Sequence, residues 1–149
     1  MTTHVLDRDA PGLAIRLRAL KPESQRTVLV KAALFAAQSI PGLDPNTQTV
    51  LDEMRFRGEL SPQELVFAMH LSEAADDRYL TLQEQGAPVE AWGKWFSQAR
   101  LLRGIAVGFG AAPKEDIADA IYEIVKSVDN PAVLFGQLAS EIGSSSPTK

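Results

Sequence analysis

The side chains best placed to do something specific are carboxylates at helical spacing. Glu115, Asp119 and Glu123 recur every four residues, with Asp116 beside them. Glu73, Asp77 and Glu84 form a second set further upstream. Four-residue spacing puts side chains on one face of a helix, where like charges cost roughly 0.2–0.5 kcal/mol per pair. Each ridge therefore has two readings. It is a solvated face that keeps the chain soluble, or a surface held for a partner of opposite charge. Complementary charge speeds association and selects partners. The chemistry implied is docking of a basic protein surface, with no bond made or broken.

Other reactive types are sparse. There are no cysteines, which excludes disulfides, thiolate metal sites and cysteine nucleophiles. The only histidines are His4 and His70, too few for a histidine-rich metal centre. His70 shares a stripe with Glu73 and Asp77, but one helix supplies too few ligands for a metal, and no second motif completes the set. Lys31 is the one charge in a long apolar run. A buried lysine can be a nucleophile or base. The reading preferred here lays its stem along apolar surface and puts its ammonium in water. Trp92, Trp95 and Phe96 are core aromatics by default, or the lining of a small-molecule pocket, the alternative ligand site. No Ser/His/Asp order or glycine-rich phosphate loop is present. No catalytic residue, metal or cofactor is expected.

The elements that must position these residues read as helices throughout, since the alternation that marks strands is absent. Thr27–Ile40 holds ten apolar residues and one charge. Its Ala and Leu content favours helix, and apolar side chains fall on nearly every side, so other helices should surround it. Of nine prolines, seven stand where a helix can begin: Pro11, Pro22, Pro45, Pro62, Pro88, Pro113 and Pro131. The predicted helices run from Gly12 to Leu20, from Pro22 to Ser39, and from Pro45 to Gly58. A fourth starts at Ser61-Pro62-Gln63-Glu64, a capping box. A fifth runs from Val89 to about Gly108, a sixth from Pro113 to about Val128, and a seventh from Asn130-Pro131 to about Ile142. In the third, Val50, Leu51, Met54 and Phe56 are assigned inward. In the fourth, Leu65, Phe67, Ala68, Leu71, Ala74, Ala75, Tyr79 and Leu82 share the inner side, opposite Glu73, Asp77 and Glu84. Gly104 and Gly108 suggest close approach of another helix. The expectation is a single all-α domain over 1–149: a compact multi-helix bundle of six or seven helices around a central apolar helix, with a disordered tail from about 143 to 149.

Composition sets the class. Hydrophobic residues make up 45% and charged residues 23%, ordinary for a globular domain. The net charge of -4 argues against direct nucleic-acid binding. Residues 1–60 carry 8 basic and 7 acidic side chains, a net of +1; residues 61–149 carry 7 and 12, a net of -5. A basic protein partner would dock on the second half. The N-terminus lacks a hydrophobic signal core and the apolar run is shorter than the ~20 residues that span a bilayer. No membrane association is expected, and a cytoplasmic, bacterial setting is. The oligomeric state is left open.

Three segments carry a family likeness. They are Ala33-Leu34-Phe35-Ala36-Ala37 with Ile40-Pro41, Arg57-Gly58-Glu59-Leu60 with Ser61 to Leu65, and Ala118 to Val128 with Ala120, Tyr122 and Lys126. Together they resemble the small α-helical immunity proteins found beside bacterial polymorphic toxins. Phe109 stands where that likeness leads one to expect histidine, so no site residue is transferred. The resemblance implies an all-helical fold and a non-enzymatic protein-binding role, as an immunity protein that neutralises a toxin by covering it.

Overall fold

The computed structural model describes residues 12–110, 117–128 and 131–144. Within them the chain forms seven helices and no strand: α1 Leu13–Ala19, α2 Pro22–Gln38, α3 Pro45–Arg57, α4 Pro62–Glu84, α5 Val89–Phe109, α6 Ile117–Lys126 and α7 Pro131–Ser144. Proline opens α2, α3, α4 and α7, where its missing N–H costs nothing. Gly58 closes α3 at φ 72°, a left-handed conformation that glycine adopts without a Cβ penalty. The expected starts at Pro113 and Asn130 lie outside the described residues. Helix α7 runs through Ser144, into the segment expected to be tail; residues 145–149 lie outside the described residues.

Helix α2 buries Val28, Leu29, Ala32, Ala33, Ala36 and Ala37 and packs against α3, α5, α6 and α7. Lys31 leaves this core as its stem length allows. Its side chain is half-exposed, and its Nζ lies 2.8 Å from Glu141 on α7. The central role is shared with α5, which buries Gln98, Ala99, Leu101, Leu102 and Gly104 to Val107, against α2, α4 and α6. The close approach expected at its glycines is present. A Cβ on Gly104 would lie 2.8 Å from the Ala120 carbonyl oxygen and 3.2 Å from the Ile124 nitrogen of α6. At Gly108 it would run into the Leu29 side chain of α2.

Buried polar groups tie the helices together. Gln98 is fully buried; its Oε1 accepts from Asp44 N at 2.9 Å, and its Nε2 donates to the Lys94 carbonyl at 3.3 Å. The α2–α3 connection is thereby fastened to α5. The Ser72 hydroxyl donates to the Ala99 carbonyl at 2.9 Å, joining α4 to α5. Sequence reasoning passed over Ser72, yet it is among the few fully enclosed positions of α4.

Three inward assignments are corrected. Phe56 is 91% exposed, and Phe67 and Ala74 are also exposed. On α3 the buried residues Thr47, Val50, Leu51 and Met54 share one face, and 100° per residue carries Phe56 to the opposite one. On α4 the apolar arc is wider than the cover. Among the described residues the helix packs mainly against α5 and less against α3, and Ala68, Ser72 and Ala75 are its buried positions.

The capping box of α4 is formed. Ser61 Oγ accepts from Glu64 N at 3.2 Å, and Ser61 N donates to Glu64 Oε1 at 2.8 Å. Arg57, at the end of α3, pairs with the same carboxylate. The Ser61 N–H, helped by the Arg57 guanidinium, holds Glu64 below its ordinary value of 4.5 against the opposing effect of burial. A lowered carboxylate pKa gives stability that is fully present above the unfolded value and lost as pH falls through the folded one. Glu64→Gln keeps an acceptor for the Ser61 N–H but carries no charge. Urea unfolding should show the wild type more stable near neutral pH, with the difference closing as pH falls below 4.5. A difference that stays constant into acid would contradict this assignment.

Candidate functional site

The two acidic ridges have different fates. In α6, Glu123 is half-buried and faces α5, with Oε1 3.3 Å from Arg100 Nη1 and Oε2 3.7 Å from Arg103 Nε. Asp119 is half-buried one turn earlier and has interactions of its own. Glu115 lies outside the described residues. What the spacing presented as an open ridge is thus in part the inner side of an ion-pair network. Asp76 of α4 completes that network. Its carboxylate receives both hydrogen bonds from Arg100 Nη2, at 2.7 and 2.9 Å. One guanidinium therefore clamps α4, α5 and α6.

The α4 ridge stays open. Glu73, Asp77 and Glu84 are exposed and make no ion pair among the described residues. Helical geometry places His70, Val66 and Leu80 on the same stripe. All three are exposed, Val66 at 57% and Leu80 at 45%. From Val66 to Glu84 the stripe runs about 27 Å at 1.5 Å per residue. Sequence reasoning found the acids and missed the two aliphatics. Angular position was the available signal, since Val66 and Leu80 fall among the carboxylates on a helical wheel and not with the core residues. His70 is an exposed member of this stripe, and no group of three His, Asp or Glu side chains able to hold a metal gathers among the described residues.

The aromatic trio occupies the inner side of the α4–α5 hairpin. Tyr79 of α4 lies against two rings of α5, 5.4 Å from Trp92 and 5.1 Å from Phe96 between centroids. Arg78 stacks over Trp95 at 4.8 Å, and Lys94 lies 5.7 Å from the same ring. These ring contacts join the helices beyond the fully buried core. All three side chains are half-buried.

Two further facts bear on partners. No helix among the described residues is long and apolar enough to cross a membrane. No protein-family model, curated protein or solved structure matches this chain.

Proposed function

We propose that this chain is a non-enzymatic protein-binding domain that docks a basic protein surface on the outer face of α4. The observation that carries the reading is the stripe Val66, His70, Glu73, Asp77, Leu80, Glu84. It combines carboxylates lacking an internal partner with exposed aliphatic side chains. The aliphatics give this face apolar area beside its charge. A docking face uses both, because apolar contact supplies affinity while charge sets rate and partner choice. Helix α4 is rigidly backed for this by the Arg100 clamp, the Ser72 bond and the aromatic contacts. In its specific form the reading is an immunity protein, acting in the cytoplasm by covering a toxin whose basic face engages nucleic acid. The segment resemblance described above supports that form.

The test is a tagged chain recovered from its native host, compared with the variant Glu73→Lys/Asp77→Lys/Glu84→Lys. The wild type should retain a basic protein, and the variant should lose it. With the partner purified, the association rate at low salt should fall at least about tenfold in the variant, with the gap narrowing at high salt. Recovery of no protein partner, or binding indifferent to the reversal, would sink the reading. Reversal at the exposed Glu23 of α2 is the control, which should change little.

A further inference from the structure

A different face of the molecule holds a crevice of about 460 Å³ between α2 and α3. Leu34, Ala37 and Gln38 line one wall, at the i, i+3, i+4 spacing of a single helix face. Gln48, Leu51 and Arg55 line the other, at i, i+3, i+7, and Leu43 of the connection contributes between them. The volume lies within the range of small-molecule sites, which are apolar clefts with a few polar groups that fix orientation. Here the apolar part is Leu34, Ala37, Leu43 and Leu51. The buried Leu51 and Ala37 are its most enclosed members, and the others are half-buried. The polar part is unequal. Gln48 Nε2 donates to Asp52 Oδ1 at 2.9 Å, so this amide is held by its own helix. Arg55 makes no hydrogen bond or ion pair among the described residues. It differs in this from Arg57 two residues on, which is engaged by Glu53 and Glu64. An arginine fork without an internal acceptor, in a crevice of mixed polar and apolar lining, suits a small anion on a short apolar body, of which a carboxylate is the simplest.

We infer that the α2–α3 crevice binds small apolar carboxylates, with Arg55 holding the carboxylate and Leu34, Ala37, Leu43 and Leu51 the hydrocarbon. The carboxylate has two possible sources, a free acid or the C-terminus of a peptide ending in an aliphatic residue. This site is separate from the α4 stripe, and its fate does not depend on that reading.

The experiment is a titration of the full chain, followed by amide chemical shifts, with hexanoate, hexan-1-ol, hexylamine and acetate. Hexanoate should saturate with a Kd on the order of millimolar, as its size allows, and shift residues of α2 and α3. The alcohol, the amine and acetate should each bind at least about tenfold more weakly, because each lacks the charge or the tail. Arg55→Gln alters an exposed side chain and should weaken hexanoate about tenfold without changing the melting temperature. Gln38→Trp, also at an exposed position, should fill the crevice and abolish the shifts. A tripeptide ending in leucine, tested as free acid and as amide, separates the sources: binding of the free acid alone adds the peptide terminus, and binding of neither restricts the site to free acids. Absence of saturable hexanoate binding, or binding unchanged by Arg55→Gln, overturns the inference.

Discussion

Adding one methyl group at Gly104 should destabilise the protein by about 2 kcal/mol, although the same change at Gly93 or Gly136 should stabilise it. Alanine is the better helix former by roughly 1 kcal/mol, so Gly→Ala inside a helix is favourable unless something occupies the new space. At Gly104 the occupant is largely backbone. The added Cβ would lie 2.8 Å from the Ala120 carbonyl oxygen and 2.6 Å from Ile124 Cγ1. A side-chain tip can swing away; a carbonyl inside α6 can retreat only if the whole helix does. Overpacking of this kind costs typically 1–3 kcal/mol, and here it must also outweigh the helix preference. Gly93 and Gly136 provide the opposite sign. A Cβ at Gly93 meets nothing closer than 3.7 Å, and at Gly136 nothing within 4 Å. Alanine there should add roughly 0.5–1 kcal/mol. Denaturant midpoints of the three variants decide the matter. Stabilisation by Gly104→Ala would mean that α5 and α6 do not pack at this distance.

Arg100→Met should be the most damaging change on the charged surface, at about 2 kcal/mol. The Arg100 side chain is 18% exposed and its guanidinium serves Asp76 and Glu123 at once. Its removal leaves two partly enclosed carboxylates without this partner, with Arg103, at 3.7 Å, still beside Glu123. Breaking a fully buried pair costs 3–5 kcal/mol, and partial solvent access reduces that here. The Arg100 Nε is buried without a partner, which lowers the value of the intact network further. Loss should therefore be well below the fully buried limit. Neutralising all three groups together, as Arg100→Met with Asp76→Leu and Glu123→Met, should recover most of it, since no stranded charge remains. Hydrogen exchange adds a local readout. Amides of α4 and α5 around residues 76 to 100 should open more readily in the single variant, because Arg100 ties Asp76 of α4 to α5 and, through Glu123, to α6. Unchanged exchange there would show that the Tyr79 ring contacts hold the hairpin unaided.

The helices and several of their limits are legible in the sequence because their causes are local. Proline at a helix start, the Ser61–Glu64 box and Gly58 at a left-handed stop act within a few residues of themselves. The apolar density of Thr27–Ile40 likewise announced a helix enclosed by others, and α2 is so enclosed. Even the stem-and-rim reading of Lys31 followed from side-chain length, although its Glu141 partner 110 residues away did not.

What the sequence could not determine was which side of each helix has a neighbour. Phe56 is hydrophobic, and Phe67 shares the apolar half of the α4 wheel, so both read as inward from the sequence. Burial, however, depends on the cover other helices provide, and α4 is covered narrowly. The same limit applies to the acidic ridges. Spacing alone made Glu73–Asp77 and Asp119–Glu123 look equivalent, since a helical wheel contains no information about what lies opposite. Tertiary packing separates them. Arg100 and Arg103 of α5 meet Glu123, while nothing among the described residues pairs with Glu73, Asp77 or Glu84. An ion pair joins positions that only the assembled bundle brings together, and so the choice between an internal clasp and an open acidic face belongs to the tertiary structure.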